Sequence, residues 1–157
     1  ARSMADAVVR AAGDLTVAVA CEDETVAAWA RSRGVAVVWT PGRGLNGAVE
    51  DGVAALAGAG ARRVIVAHAD LPLAVELASV ADFDGVTLVP DRREDGTNVA
   101  CVPADSGFRF AYGPGSLARH SDEAQRLGLR LRVLHRPALA WDVDRPGDLD
   151  LSAAGLG

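Results

Sequence analysis

The 157-residue sequence contains no lysine. All 16 basic residues are therefore arginine. This excludes Schiff-base chemistry and a phosphate-loop lysine on this chain. Aromatic residues are scarce at 4%, with a single tyrosine. The two cysteines, Cys21 and Cys101, lie far apart and form no CxxC pair. They are expected to be reduced, buried, small apolar residues of a cytoplasmic protein. No apolar run approaches the roughly 20 residues that span a bilayer. The opening ARSMADAVVR places Asp6 where a signal peptide would continue its apolar core, so no signal peptide and no membrane partner are expected. Positive charge is also in deficit. Sixteen basic against 21 acidic residues leave a net charge of −5, which does not suit a nucleic-acid backbone. His68, His120 and His135 are dispersed without zinc-ligand spacing, and no G-x-S-x-G elbow occurs. Covalent nucleophilic catalysis has no candidate residue.

Hydrophobic residues make up 50% and charged residues 24%, an ordinary globular composition at a length that suits one domain. Short β-branched runs alternate with Ala-rich amphipathic stretches. Helices are expected at 3–12 (Ser3 as N-cap, Gly13 as stop), 23–33, 46–59, 73–80 and 117–127. Strands are expected at 15–20, 35–39, 63–70, 85–90, 98–103 and 131–136. Strands separated by helices predict an α/β fold, a three-layer, mainly parallel sheet with helices on both faces. Runs such as VAVVW and RVIVA agree, because continuous apolar strands are covered on both sides. In such sheets ligands lie beyond the carboxyl ends of the strands.

Four segments occupy those positions. PGRGLNG, 41–47, contains G-x-G-x-x-G between a strand and a helix, and glycines there allow backbone to approach phosphate. A dinucleotide site, a bare turn and a loop facing some nucleotide all remain open, although Pro41 and Arg43 crowd the place of a pyrophosphate. HADLPL, 68–73, ends an apolar strand in Asp70. A carboxylate there must be solvated, paired or bound to a cation, so it reads either as a turn acid or as a metal ligand. WDVDRPGDLDL, 141–151, carries Asp142 and Asp144 two residues apart, hence on one side of an extended segment. Paired like charges there suit a cation such as Mg²⁺, the alternative being a solvated acidic turn. Trp141 beside them suits the core better than a ligand stack. YGPGSLARH, 112–120, offers Ser116 as a helix N-cap, with Gly115 for close approach and Arg119 one turn in. It is either a phosphate-holding helix start or simply a capped helix. Thr97 adds a hydroxyl in the polar DGTN loop.

The segments GRGLNGAVEDGV, VIVAHADLPL, VPDRREDGTN, FRFAYGPGSLARH and WDVDRPGDL occur in an order and spacing that resemble one family. It is the phosphoenolpyruvate/2-phospho-L-lactate guanylyltransferases of coenzyme F-420 biosynthesis, within the MobA-like nucleotidyltransferases of glycosyltransferase-A type fold. The likeness runs from about Val35 to Leu149. It implies that Asp70, Asp142 and Asp144 hold Mg²⁺. It implies that Thr97, Gly113 and Ser116 contact the phosphate and carboxylate of the acceptor, and that Gly44, Leu45 and Asn46 lie in a loop facing the nucleotide. The implied substrates are GTP and a phosphorylated three-carbon acid, with pyrophosphate released. The family opens with a strand and a basic loop that grips the triphosphate. The present sequence starts beyond them, so residues 1–157 are expected to form one nucleotidyltransferase-like domain without that strand and loop. Rival readings are a related nucleotidyltransferase with another acceptor, a dinucleotide-binding module and a non-catalytic nucleotide-binding domain.

Overall fold

A computed structural model describes residues 2–143. The chain begins with α1 (Arg2–Ala11). It continues through β1 (Ala18–Cys21), α2 (Glu24–Ser32) and β2 (Ala36–Trp39). Asp23 caps α2, its carboxylate accepting the Thr25 and Val26 N–H groups. Strand β2 is followed by α3 (Gly44–Gly58) and β3 (Arg63–Ala67). A short 3₁₀ turn (Leu77–Ala81) leads to the pair β4 (Val86–Pro90) and β5 (Thr97–Pro103). Helix α4 (Ser116–Arg126), β6 (Leu131–Val133) and a single turn α5 (Pro137–Ala140) complete the described chain.

Strands β1 and β2 pair in parallel. The other four form a sheet in the order β3-β5-β4-β6. Strand β5 runs antiparallel to both β3 and β4, while β4 and β6 are parallel. Three of these four strands thus share one direction and β5 is reversed. The reason is chain length. Only residues 91–96 join β4 to β5, and a parallel return needs a crossover of about a dozen residues or more. The reversal has a functional consequence. It brings the start of β5, Thr97, opposite Pro90 at the end of β4.

Side-chain alternation along β4 and β5 divides the core into two halves. Val89, Val99 and Cys101 pack with Leu71, Leu77, Val80 and Leu139 on one face. Leu88, Ala100 and Val102 pack with Phe108, Phe110 and Ala124 on the other, where α3 adds Val49 and Val53. Both faces are therefore covered, as the three-layer expectation requires. Strand β2 departs from it. Trp39 is 44% exposed, and among the described residues β2 pairs only with β1. Both cysteines are free thiols; Cys101 is buried, but Cys21 only half-buried. No described helix is long and apolar enough to cross a membrane.

Two helix starts differ from expectation. Helix α3 begins at Gly44, so Gly44, Leu45 and Asn46 form its first turn instead of a loop. Helix α1 begins at Arg2, which puts Ser3 inside the helix and not at its cap. Segment 73–80 also forms no α-helix; only the 3₁₀ turn appears there.

Candidate active site

Five segments meet at the edge where β3 and β4 end and β5 begins. Strand β3 stops at Ala67, and His68 to Asp70 follow as a turn held by the His68 N–H bond to the Asn98 carbonyl at 3.1 Å. Asp70 therefore lies just past the strand, not within it. Its Oδ1 is buried and, among the described residues, has no hydrogen-bond partner. An unmatched carboxylate oxygen in that position is costly in free energy unless a cation or donor meets it. The Asp70 carbonyl accepts the Val143 N–H at 3.3 Å, which draws Asp142 to the same edge. Asp142 is 9% exposed. Asp144 lies outside the described residues. Among those described, no cluster of three or more His, Cys, Asp or Glu side chains occurs that could hold a metal by itself. The donor set of two aspartates, one with an orphaned oxygen, fits a hard cation such as Mg²⁺.

Thr97 and Ser116, both 2% exposed, bring their hydroxyls to 3.4 Å. Gly113 joins them through its carbonyl, which accepts the Ser116 N–H at 3.0 Å. At Gly113 φ is +115°, a backbone conformation that needs glycine. The three residues assigned to the acceptor by resemblance are thus contiguous. Their local roles differ from expectation. Gly115, not Ser116, is the residue preceding α4, and Ser116 opens the helix. Asp95 serves this helix start instead, its carboxylate accepting the Gly115 N–H at 2.9 Å and its carbonyl the Leu117 N–H at 3.0 Å. Arg119 does not reach outward. Its guanidinium donates to the Ala111 carbonyl at 2.9 Å and the Pro114 carbonyl at 2.6 Å, clasping its own loop.

The G-x-G-x-x-G segment is occupied by the protein's own carboxylates. The Gly42 N–H donates to Glu22 Oε2 at 2.7 Å, and Arg43 is bonded to Asp51 at 2.8 Å. Acids at both places repel a pyrophosphate, which weighs against the dinucleotide reading. Asn46 has a different task. Its Oδ1 accepts the Tyr112 N–H at 2.7 Å, tying the start of α3 to the loop that carries Gly113. Leu45 is 57% exposed and free to meet a ligand. Trp141 is half-buried, with the Arg92 guanidinium 4.4 Å from its ring centroid.

Sequence reasoning set the histidines aside, yet two of them line this edge. The His68 and Tyr112 rings are 5.0 Å apart, and the Tyr112 and His120 rings 4.9 Å. His68 Nε2 and the Tyr112 hydroxyl are buried without hydrogen-bond partners among the described residues. Burial pushes the Tyr112 phenol well above its ordinary range. The available signal was spacing: His120 follows Ser116 by four residues, one helical turn, and so shares its face.

Burial, reinforced by the neighbouring Arg119, lowers the His120 imidazole from 6.5 to about 4. Between those values the unfolded chain holds more protons than the folded one. Stability should therefore fall as pH drops from 6.5 toward 4, by about 3 kcal/mol across the window. Urea unfolding at pH 7 and pH 5 measures this, and His120→Asn should flatten the dependence. Glu123 acts lower down. Its bond to Arg126 holds its carboxyl at about 2, so its contribution is lost only below its unfolded value of 4.5.

A three-layer α/β sandwich with acids at its strand ends is a fold that this chain shares with a solved nucleotide-diphospho-sugar transferase. A protein assigned as a nucleotide-diphospho-sugar transferase, from Desulfovibrio desulfuricans G20, superimposes with a TM-score of 0.73 at 18% identity, covering 96% of this chain and 71% of its own. The chain belongs to the family described as guanylyl transferase CofC like, whose model matches residues 1–152. It is similar to the phosphoenolpyruvate guanylyltransferase of Rubrobacter xylanophilus, at 37% identity over 94% of this chain and 75% of the relative. It is also similar to the 2-phospho-L-lactate guanylyltransferase of Methanothrix thermoacetophila, at 36% identity over 69% of this chain and 48% of the relative. The chain thus spans about half to three quarters of the length of these curated relatives.

Proposed function

We propose that the chain transfers GMP from GTP to phosphoenolpyruvate or 2-phospho-L-lactate and releases pyrophosphate, a step of coenzyme F-420 biosynthesis. Family membership and the names of the relatives support the reaction class. The buried, unpartnered Asp70 Oδ1 is the observation that carries the site assignment.

The chemistry suits a chain without a covalent nucleophile. An acceptor phosphate oxygen attacks the α-phosphorus of GTP, one P–O bond forms, and the bond to the β-phosphate breaks with pyrophosphate taking the electron pair. The attacking oxygen is already anionic, so no general base is needed. What remains is positioning and charge neutralisation. Asp70 and Asp142, with Asp144 as a third donor, would hold Mg²⁺. Bound there, the ion would supply charge neutralisation between the two phosphates. Thr97 and Ser116 offer hydroxyl protons to the acceptor's anionic groups, and Gly113 lets backbone approach them. Asn46 keeps that loop beside α3, whose Leu45 meets the nucleotide.

Incubating the intact protein with GTP, Mg²⁺ and each acceptor tests the proposal by mass spectrometry. A guanylylated acid and stoichiometric pyrophosphate are expected. Pyrophosphate release that is independent of either acid would point instead to another acceptor or to simple hydrolysis.

A further inference from the structure

His120 is wholly buried and held on all sides. Its ring contacts Phe108 and Phe110 at 5.8 and 5.9 Å, and Tyr112 at 4.9 Å. Two of the chain's three phenylalanines and its only tyrosine are thus spent on one imidazole. Packing of this density fixes the ring's orientation.

That orientation determines where the proton is. The Ala111 N–H donates to Nε2 at 2.9 Å. A nitrogen that accepts a hydrogen bond carries no proton, so the neutral ring is protonated at Nδ1. Nδ1 lies 3.0 Å from Thr97 Oγ1. Thr97 must therefore accept from His120, which leaves its own hydroxyl proton to be donated elsewhere. Among the described residues, the one other neighbour of that hydroxyl is Ser116 Oγ, at a long 3.4 Å. The imidazole thereby turns Thr97, which could donate or accept, into a donor.

Building on the guanylyltransferase reading, we propose that His120 is a positioning residue that fixes the Thr97 hydroxyl as a hydrogen-bond donor to the anionic group of the phosphorylated acid. A buried histidine serving only the core would place no demand on the direction of that proton.

Two substitutions separate these roles. In His120→Asn the side-chain amide takes the place of Nδ1 and can still donate to Thr97. In His120→Gln the carbonyl takes the place of Nε2, keeps the Ala111 bond and loses the donation. His120→Gln should raise the KM for phosphoenolpyruvate about tenfold or more, with the KM for GTP unchanged, and His120→Asn should stay within about threefold of wild type. In a Thr97→Val background the two should become equal, because their shared target is gone. Long-range ¹⁵N–¹H correlation of labelled histidine supplies a readout independent of turnover: Nδ1 should carry the proton at pH 7.

An Nε2–H tautomer overturns the inference. So does an equal loss in both variants, or a difference that persists without the Thr97 hydroxyl. Failure of the wild-type chain to take either acid overturns the functional reading itself and the inference with it, whereas the other outcomes leave that reading intact.

Discussion

Asp70→Asn should lower Mg²⁺-dependent pyrophosphate release by about a thousandfold while leaving the protein folded. The substitution is nearly isosteric. It keeps the Asp70 carbonyl, and with it the main-chain bond from Val143 that draws in Asp142. It removes one negative charge and places either a neutral oxygen or an N–H where the buried Oδ1 now has no partner. A cation held by oxygen donors loses its strongest ligand there, and an amide N–H would face it with the wrong sign. Loss of about 4 kcal/mol of transition-state charge stabilisation corresponds to roughly three orders of magnitude in rate. Stability should move the other way or not at all, because a buried carboxylate without a partner is itself destabilising. Continuous pyrophosphate detection and a thermal melt of the same sample check both halves. Undiminished turnover in the variant would remove Asp70 from the site.

The second large effect is structural. Gly85→Ala should cost about 3 kcal/mol or more of folding stability. Gly85 has φ of +149°, a region that L side chains rarely adopt. An added Cβ would overlap the Arg130 carbonyl oxygen and come within 2.9 Å of the Phe83 ring. That carbonyl is already in use, accepting the Val86 N–H at 2.7 Å where β4 and β6 begin to pair. The Gly85 carbonyl in turn accepts from the Arg63 guanidinium at 2.8 Å. A shift large enough to admit a methyl group therefore breaks the ladder of the buried strand β4 and loosens its link to β3. Gly85 sits before the first residue of β4, whereas the proposed site lies past its last. The folded fraction of the variant should retain wild-type KM values. Urea titration followed by tryptophan fluorescence measures the loss, and an unchanged midpoint would contradict it.

Strands β4 and β5 are legible in the sequence because their apolar runs are forced by burial on two faces. VTLVP and NVACVP are nearly fully buried in the fold, and both were evident as runs. Strand direction is less visible in residue type, although the seven residues between those two runs admit only a return in reverse. The start of α3 is hard to place from sequence because its first turn contains glycine. Gly44 and Gly47 are poor helix formers by propensity, yet tertiary contacts such as Asn46 to Tyr112 hold that turn in α3. Asp70 stood out because an acid at the end of an apolar strand needs an explanation. Arg119 misled because a cation near a helix start suggests an anion, while here it satisfies carbonyls of its own loop. His120 was passed over because its partners, Thr97 and Ala111, come from separate segments that only the fold brings together.

The account depends on Asp70 and Asp142 facing one divalent ion together. Mn²⁺ titration monitored by electron paramagnetic resonance, with GTP present, measures this most directly in the wild type, Asp70→Asn, Asp142→Asn and the double variant. One bound ion is expected in the wild type, each single substitution should weaken it at least tenfold, and the double variant should be little worse than either single one. Wild-type Mn²⁺ affinity retained in both single variants would contradict the account.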